Sequence, residues 1–294
     1  MLSMVNSMYP ALLFTTPVHT AYITSRGEVR SKLDPTAPGW SPTARHRLST
    51  SPVFVCDKPE TWLQPQSSQY SGLLAKRPFP GRFDPYRAAI DDALERFGDN
   101  AQLKTTVHHN GVQGDVLTNL QEPLDELLAE AALPAVVSGQ LRRDACTMSE
   151  VVASLCPSAT QLDVKVEIFG ENSCSRWHQD YYAGRAIITY TGGVGTEYLD
   201  DSNVDFHELE HCGNNDCIIR DKRQVRRVMP GDMLFMKGRR FPGAGAGALV
   251  HKSPEKRYHP DGRVVHRLLL KIDVPAPGAR QPVAGIQWER GGPP

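Results

Sequence analysis

From residue 162 onward the chain breaks into short apolar segments at close spacing, and this rhythm limits the fold more than any other feature of the sequence. Candidate strands run over 162–169, 185–190, 194–199, 216–219, 225–229, 232–237, 248–252 and 264–273, separated by Gly and Pro turns. About eight short strands at such spacing predict a sandwich or a barrel. In the first, Leu162, Val164, Val166 and Ile168 alternate with Asp163, Lys165 and Glu167, the two-residue period of a half-buried strand. Pro230-Gly231-Asp232 reads as a turn leading into a buried strand at Met233–Met236. Gly243 to Ala248 alternates Gly and Ala, a flexible bend that delivers Leu249, Val250 and His251.

The first half has a different character. Residues 1–50 are rich in Ser, Thr and Pro and lack a strand or helix period, as expected of a poorly structured arm. Val53 to Val55 is a short strand candidate, Trp62 a core residue, and 64–82 a proline-rich connector. Asp84-Pro85 is expected to open a helix that buries Ile90, Ala93, Leu94 and Phe97 and ends at Gly98. A second helix is expected from Pro123, in its first turn, to about 132, and a third over about 139–155. His108-His109 precedes Asn110-Gly111, which reads as a surface loop. The organisation expected is an arm over 1–50, a mainly helical support over 51–160, a metal-binding β core over 161–275 and a tail over 276–294.

Charge and composition narrow the function. Lys plus Arg is 33 and Asp plus Glu is 33, so no net charge draws the chain to nucleic acid or to a membrane surface. No apolar run reaches the roughly 18 residues of a membrane span. Cys56, Cys146, Cys156, Cys174, Cys212 and Cys217 have no framework spacing and read as reduced thiols of a cytoplasmic protein. A small molecule is the expected partner, and the sequence does not fix an oligomeric state.

The chemistry centres on His178-Gln179-Asp180. An extended backbone points residues two apart the same way, so His178 and Asp180 aim at one place. A second His-x-Asp at 259–261 contains Pro260 and precedes Gly262, and reads as a turn. His251 ends a later strand and completes a two-His-one-carboxylate set. Three ligands on one face of an octahedral ion leave three positions open, which suits ferrous iron taking a bidentate co-substrate and dioxygen together. A double-stranded β-helix (jelly roll) with a helical N-terminal support, an α+β fold, would return the chain to this site. Arg267 stands inside the apolar strand 264–273, where a buried guanidinium needs a carboxylate; a dicarboxylate co-substrate supplies one.

With these residues in place, a resemblance becomes specific. Trp177-His178-Gln179-Asp180, Pro230 to Phe235, Leu249 to His251 and Arg267 resemble the Fe(II)/2-oxoglutarate-dependent oxygenases, particularly the phytanoyl-CoA-hydroxylase-like branch. A closer resemblance is to the uncharacterised domain-of-unknown-function 1826 family. It is carried by Cys174, His178 and Asp180, Arg185 before Thr189-Tyr190, Gly195 to Glu197, Met236 to Gly238, Val250 to Pro254 and Arg267 to Asp273. The oxygenase resemblance implies Fe(II) on His178, Asp180 and His251, with 2-oxoglutarate anchored by Arg267. Arg185 and Lys252 flank the ligands as alternative anchors or contacts to an anionic substrate, and Trp177, Tyr181, Tyr182 and Tyr190 as pocket walls. One departure concerns the co-substrate. Such oxygenases often carry Ser or Thr two residues after the arginine, where this chain has Leu269.

Two rival readings stay open. A cupin-like protein could hold zinc or another divalent ion in the same triad without turnover. Alternatively, His207-Glu208-x-x-His211 fits the zinc-hydrolase pattern HExxH, with Glu208 as base, although Gly213 and two Asn follow it closely. Cys212 and Cys217 join those histidines as candidates for a structural zinc site instead.

Overall fold

The β-branched and apolar segments assemble into two sheets, described here from a computed structural model. The structure describes residues 51–276 apart from 79–82, 98–101, 111–113, 171–173 and 243–246. The arm expected over 1–50, nearly all of the tail over 276–294, Gly98 and most of the Gly/Ala bend therefore lie outside the described residues. The described residues belong to one compact unit, Ser49–Pro294.

The larger sheet has seven strands in the order β1 (Val53–Cys56), β2 (Gly72–Ala75), β8 (Met233–Lys237), β5 (Gly184–Thr189), β10 (Arg267–Val274), β4 (Gln161–Phe169) and β3 (Gln102–His108). All neighbours are antiparallel except β1 and β2. The smaller sheet is β7 (Arg226–Arg227), β6 (Glu197–Tyr198) and β9 (His251–Lys252), again antiparallel. The helices are α1 (Arg87–Phe97), α2 (Asp115–Ala131), α3 (Ala135–Leu155), and the short α4 (Phe206–His211) and α5 (Asn215–Ile218). None is long and apolar enough to cross a membrane among the described residues.

The period of two sorts the side chains. On β10, Leu268, Leu270, Ile272 and Val274 face the helices, where they meet Leu124 and Leu127 of α2 and Leu141, Met148 and Val152 of α3 in one core. A second cluster joins Ile187, Leu234, Met236 and Leu269 of the large sheet to Tyr198 of the small one. The two sheets thus face one another. Asp163, Lys165 and Glu167, expected on a solvated face, are buried. Ion pairs make this tolerable: Lys165 lies 3.0 Å from Asp273, Lys104 lies 3.2 Å from Asp163, and Lys271 pairs with Glu167.

The first half differs from its expected outline. It is not only a helical support, because β1, β2 and β3 extend the large sheet. Buried β2 lies inside the expected connector, and β3 runs up to His108, with His109 buried rather than on a surface loop. Asp84 falls in a 3-10 turn, Asp84–Tyr86, before α1. Pro123 lies in the middle of α2, which begins at Asp115, so the helix gives up a backbone hydrogen bond there. The strand expected at 216–219 is instead α5, started by Asn214, whose side chain accepts a hydrogen bond from the Asp216 amide at 3.0 Å.

Candidate metal centre

Backbone pairing brings the distant histidines together. His178 and His251 form an isolated antiparallel bridge in which each amide donates to the other's carbonyl at 3.0 Å. The neighbours Trp177 and Val250 are packed in a separate apolar cluster with Leu209 and Ile218, so alternation turns both imidazoles to the other side. The amide of Trp177 donates to Asn215 Oδ1 at 3.0 Å, which fixes this segment further. Asp180, two residues on, points the same way as His178.

The three side chains converge. Asp180 Oδ1 lies 3.6 Å from His178 Nε2, Asp180 Oδ2 lies 3.5 Å from His251 Nε2, and the imidazole centroids are 4.5 Å apart. One donor atom from each residue falls within 4.8 Å of the other two. An octahedral ion with ligands near 2.1 Å sets adjacent donors about 3 Å apart, so small rotations close the set on one ion. The outer nitrogens are already occupied: Nδ1 of His178 lies 2.8 Å from the Arg176 carbonyl, and Nδ1 of His251 lies 3.0 Å from the Leu249 carbonyl. An Nδ1–H donated to a carbonyl leaves the Nε2 lone pair free for a metal. Asp180 Oδ2 is buried without a well-aligned hydrogen bond, although Arg185 Nη1 stands 3.0 Å away. An outward Nε2 pair and an under-satisfied carboxylate oxygen fit a divalent cation.

The charges are strongly perturbed. Burial opposes the charge on Asp180, yet the Arg185 guanidinium and the two imidazoles outweigh it and hold the carboxyl well below its usual range. Burial also pulls the His178 imidazole down, but contacts to Asp180 and Cys174 outweigh it and raise it to about 10. Burial dominates at His251 and lowers it to about 4.

Arg185 is paired within the protein. Its Nε and Nη2 lie 2.5 and 3.1 Å from the two oxygens of Asp273, and its Nη1 lies 3.1 Å from Asp180 Oδ1. The guanidinium is therefore engaged by two carboxylates of the protein itself. Tyr182 lies beneath it, with the guanidinium carbon 4.6 Å from the ring centre. Lys252 is held by Glu197 at 2.9 Å and Glu255 at 2.6 Å, above the ring of buried Trp177. Tyr190 donates to Asp144 of α3 at 2.7 Å and packs with Phe83 in the helix-side core. Arg267 is only 7 % exposed, its Nη2 has no hydrogen-bond partner, and no acid pairs with it among the described residues. Burial alone lowers this guanidinium to about 10.

Sequence reasoning missed Asp273 and the carbonyls of Arg176 and Leu249. The signal for Asp273 is period-two spacing, which puts it on the Arg267 face of β10, directly opposite Arg185 of β5. The HExxH motif does lie on a helix, α4, but one of six residues at the surface. There Glu208 gathers with Cys212 and Cys217, while His211 Nδ1 lies 2.8 Å from the His207 carbonyl. The turn expected at His259-Pro260-Asp261 is present, with Gly262 at φ 85° and its amide bonded to His259.

Fold and site together define a mixed α+β protein with a large, mostly antiparallel sheet and a two-His-one-carboxylate set in which Asp180 and His251 are buried and His178 half-buried. The chain belongs to the family described as "Protein of unknown function (DUF1826)", whose profile matches residues 85–273. No curated protein matches it. Among solved structures it is similar to a dioxygenase for auxin oxidation from Arabidopsis thaliana in complex with 2-oxoglutarate. That overlay has 8 % identity and a TM-score of 0.42, over 79 % of this chain and 94 % of the other. The rice dioxygenase for auxin oxidation gives 14 % and 0.41, over 78 % and 84 %. A Pseudomonas putida prolyl-4-hydroxylase gives 13 % and 0.32, over 75 % and 100 %.

Proposed function

We propose that this protein is a non-haem Fe(II)/2-oxoglutarate-dependent dioxygenase that oxidises a small polar or anionic molecule. The observation that carries the reading is that two features occur together in this chain. One is a convergent His178/Asp180/His251 set with both Nε2 atoms turned toward Asp180, and the other is an Arg267 guanidinium that no acid pairs with among the described residues. A buried cation is rarely left unpaired unless a ligand supplies the anion. A metal-binding protein without turnover has no use for it, so Arg267 favours the catalytic reading over the cupin-like one.

The strand order supports a double-stranded β-helix. In the large sheet β8, β5, β10 and β4 are neighbours; in the small sheet β7, β6 and β9 are followed by the strand of His178 through its bridge to His251. Each set alternates early and late segments of the chain, which such a fold requires. On this reading residues 161–275 form the core and 51–160 the support that extends and covers it.

The residues then divide the work. His178, Asp180 and His251 would hold Fe(II), which together with 2-oxoglutarate supplies the oxidising chemistry for a C–H bond. Arg267 would bind the distal carboxylate of 2-oxoglutarate through a bidentate fork. Arg185 would act as a positioning residue: anchored on Asp273, it aims Asp180 and stabilises its charge. The carbonyls of Arg176 and Leu249 hold the imidazoles in the tautomer that presents Nε2. Tyr182 and Trp177 stiffen the cations Arg185 and Lys252 by stacking. Tyr190, tied to Asp144, braces the sheet against α3.

The test is co-substrate turnover. The full chain with Fe(II), 2-oxoglutarate and air should release succinate even without the main substrate, at a slow uncoupled rate. Asp180→Ala should abolish it. A folded, iron-loaded protein that forms no succinate with any candidate substrate overturns the proposal.

A further inference from the structure

We propose that Glu208, Cys212 and Cys217 form a second metal site, at the surface, that takes a thiophilic divalent ion of the zinc class. Among the described residues, this group and the His178 triad are the two sets able to converge on an ion, with donor atoms within 4.8 Å of one another. Tetrahedral zinc with sulfur at 2.3 Å sets its ligands about 3.8 Å apart, so side-chain rotation closes the group. Two thiolates select such an ion over magnesium or calcium. Solvent would take the fourth position, since the cluster is partly exposed.

The local structure is built to present these groups. Glu208 and Cys212 are one turn apart, and the Cys212 amide closes α4 onto the Glu208 carbonyl at 2.8 Å. α5 brings Cys217 back against them. The Asn214 amide donates to Cys212 Sγ at 3.3 Å, which fixes the direction of the sulfur. α4 and α5 bury little apolar surface of their own, with Leu209 and Ile218 as their buried residues. A short pair of this kind gains most from a cross-link.

The cross-link would act on the triad's strand. Asn215 of α5 takes the Trp177 amide on Oδ1 and donates Nδ2 to the Ser175 carbonyl at 2.8 Å. Arg176 donates Nη2 to the Cys212 carbonyl at 2.9 Å. Residues 175–177, which lead into His178, are thus clamped by the two helices that the ion would join. Binding releases the thiol protons to solvent and forms two metal–sulfur bonds, with no redox change.

Cobalt(II) added to the reduced full chain under anaerobic conditions is the probe. The expected result is a near-ultraviolet thiolate-to-cobalt absorption that saturates. The Cys212→Ser/Cys217→Ser double variant should lose it and bind one cobalt fewer per chain. His178→Ala/His251→Ala and Cys174→Ser should keep it, which separates this site from the triad whatever the fate of the oxygenase reading. On the His178→Ala/His251→Ala background, where the triad cannot load, zinc should also slow amide exchange at Trp177 with the two cysteines present and not with both replaced. Circular dichroism confirms that each variant is folded. No thiolate band in the wild type, or one that survives in the double cysteine variant, overturns the site; unchanged amide exchange overturns its link to the triad.

Discussion

Gly192 is packed directly against the stem of Arg267. It adopts φ 87°, and a Cβ added there would lie well inside contact distance of Arg267 Cγ. Glycine is therefore required twice, for its backbone angle and for the space the arginine fills. Gly192→Ala should displace Arg267 while sparing the triad. Its KM for 2-oxoglutarate should rise at least ~10-fold with iron affinity unchanged, measured by succinate release and by metal titration.

Arg267 itself gives a prediction with two signs. Without a carboxylate its burial opposes folding, and a pKa lowered to about 10 means that this penalty is present at neutral pH and fades as pH rises from about 10 toward the unfolded value. Arg267→Met should therefore stabilise the metal-free protein, by roughly 1–3 kcal/mol. The same change should cost roughly 2–5 kcal/mol of 2-oxoglutarate binding, by loss of a buried charge contact. Thermal melts with and without 2-oxoglutarate separate the two effects.

The Arg185–Asp273 pair should control metal affinity at a distance. Asp273 is fully buried, and although burial raises its carboxyl, Arg185 and Lys165 outweigh this and hold it well below the usual range. Its folded pKa is depressed, so its stabilisation is present above about pH 4 and is lost as pH falls further. Asp273→Asn should loosen Arg185 and weaken metal binding ~10- to 100-fold, as losses behind a ligand do. Arg185→Met takes a partner from two buried carboxylates, leaving Asp273 with Lys165, and should destabilise the fold by roughly 3–5 kcal/mol, read from denaturant unfolding.

Proton release on metal binding follows from the unequal histidines. With its folded pKa raised to about 10, His178 stabilises the metal-free protein fully below about pH 6.5, and this is lost as pH climbs through 10. A metal needs the neutral imidazole, so loading the triad at pH 8 should release one proton, from His178. His251, lowered to about 4, is already neutral and should release none. Calorimetry in buffers of different ionisation enthalpy, on the Cys212→Ser/Cys217→Ser background, counts the protons.

Much of the site was legible because its logic is local. Two ligands two residues apart on an extended segment announce themselves, and His251 ends a strand that apolar neighbours define. An arginine leading directly into Leu268 to Leu270 marks a buried cation. Pairings across the sheet were not legible. Nothing in the sequence marks Asp273, at the end of an apolar strand, as a partner of Arg185; only the register sets the two opposite each other. The charges of β4 read as a wet face for the same reason: Lys104, Lys271 and Asp273, which neutralise them, come from other strands. β2 hid among prolines, and Cys217-Ile218-Ile219 imitated a strand although the Asn214 cap starts a helix there.

The most direct measurement is the visible spectrum of the full chain under anaerobic conditions with Fe(II) and 2-oxoglutarate. If His178, Asp180 and His251 grip one ion and leave room for a chelating keto acid, a weak iron-to-keto-acid charge-transfer band should appear. It should vanish in His251→Ala and require more 2-oxoglutarate in Arg267→Met. A folded wild-type protein that shows no band, or a band unchanged by His251→Ala, contradicts the account.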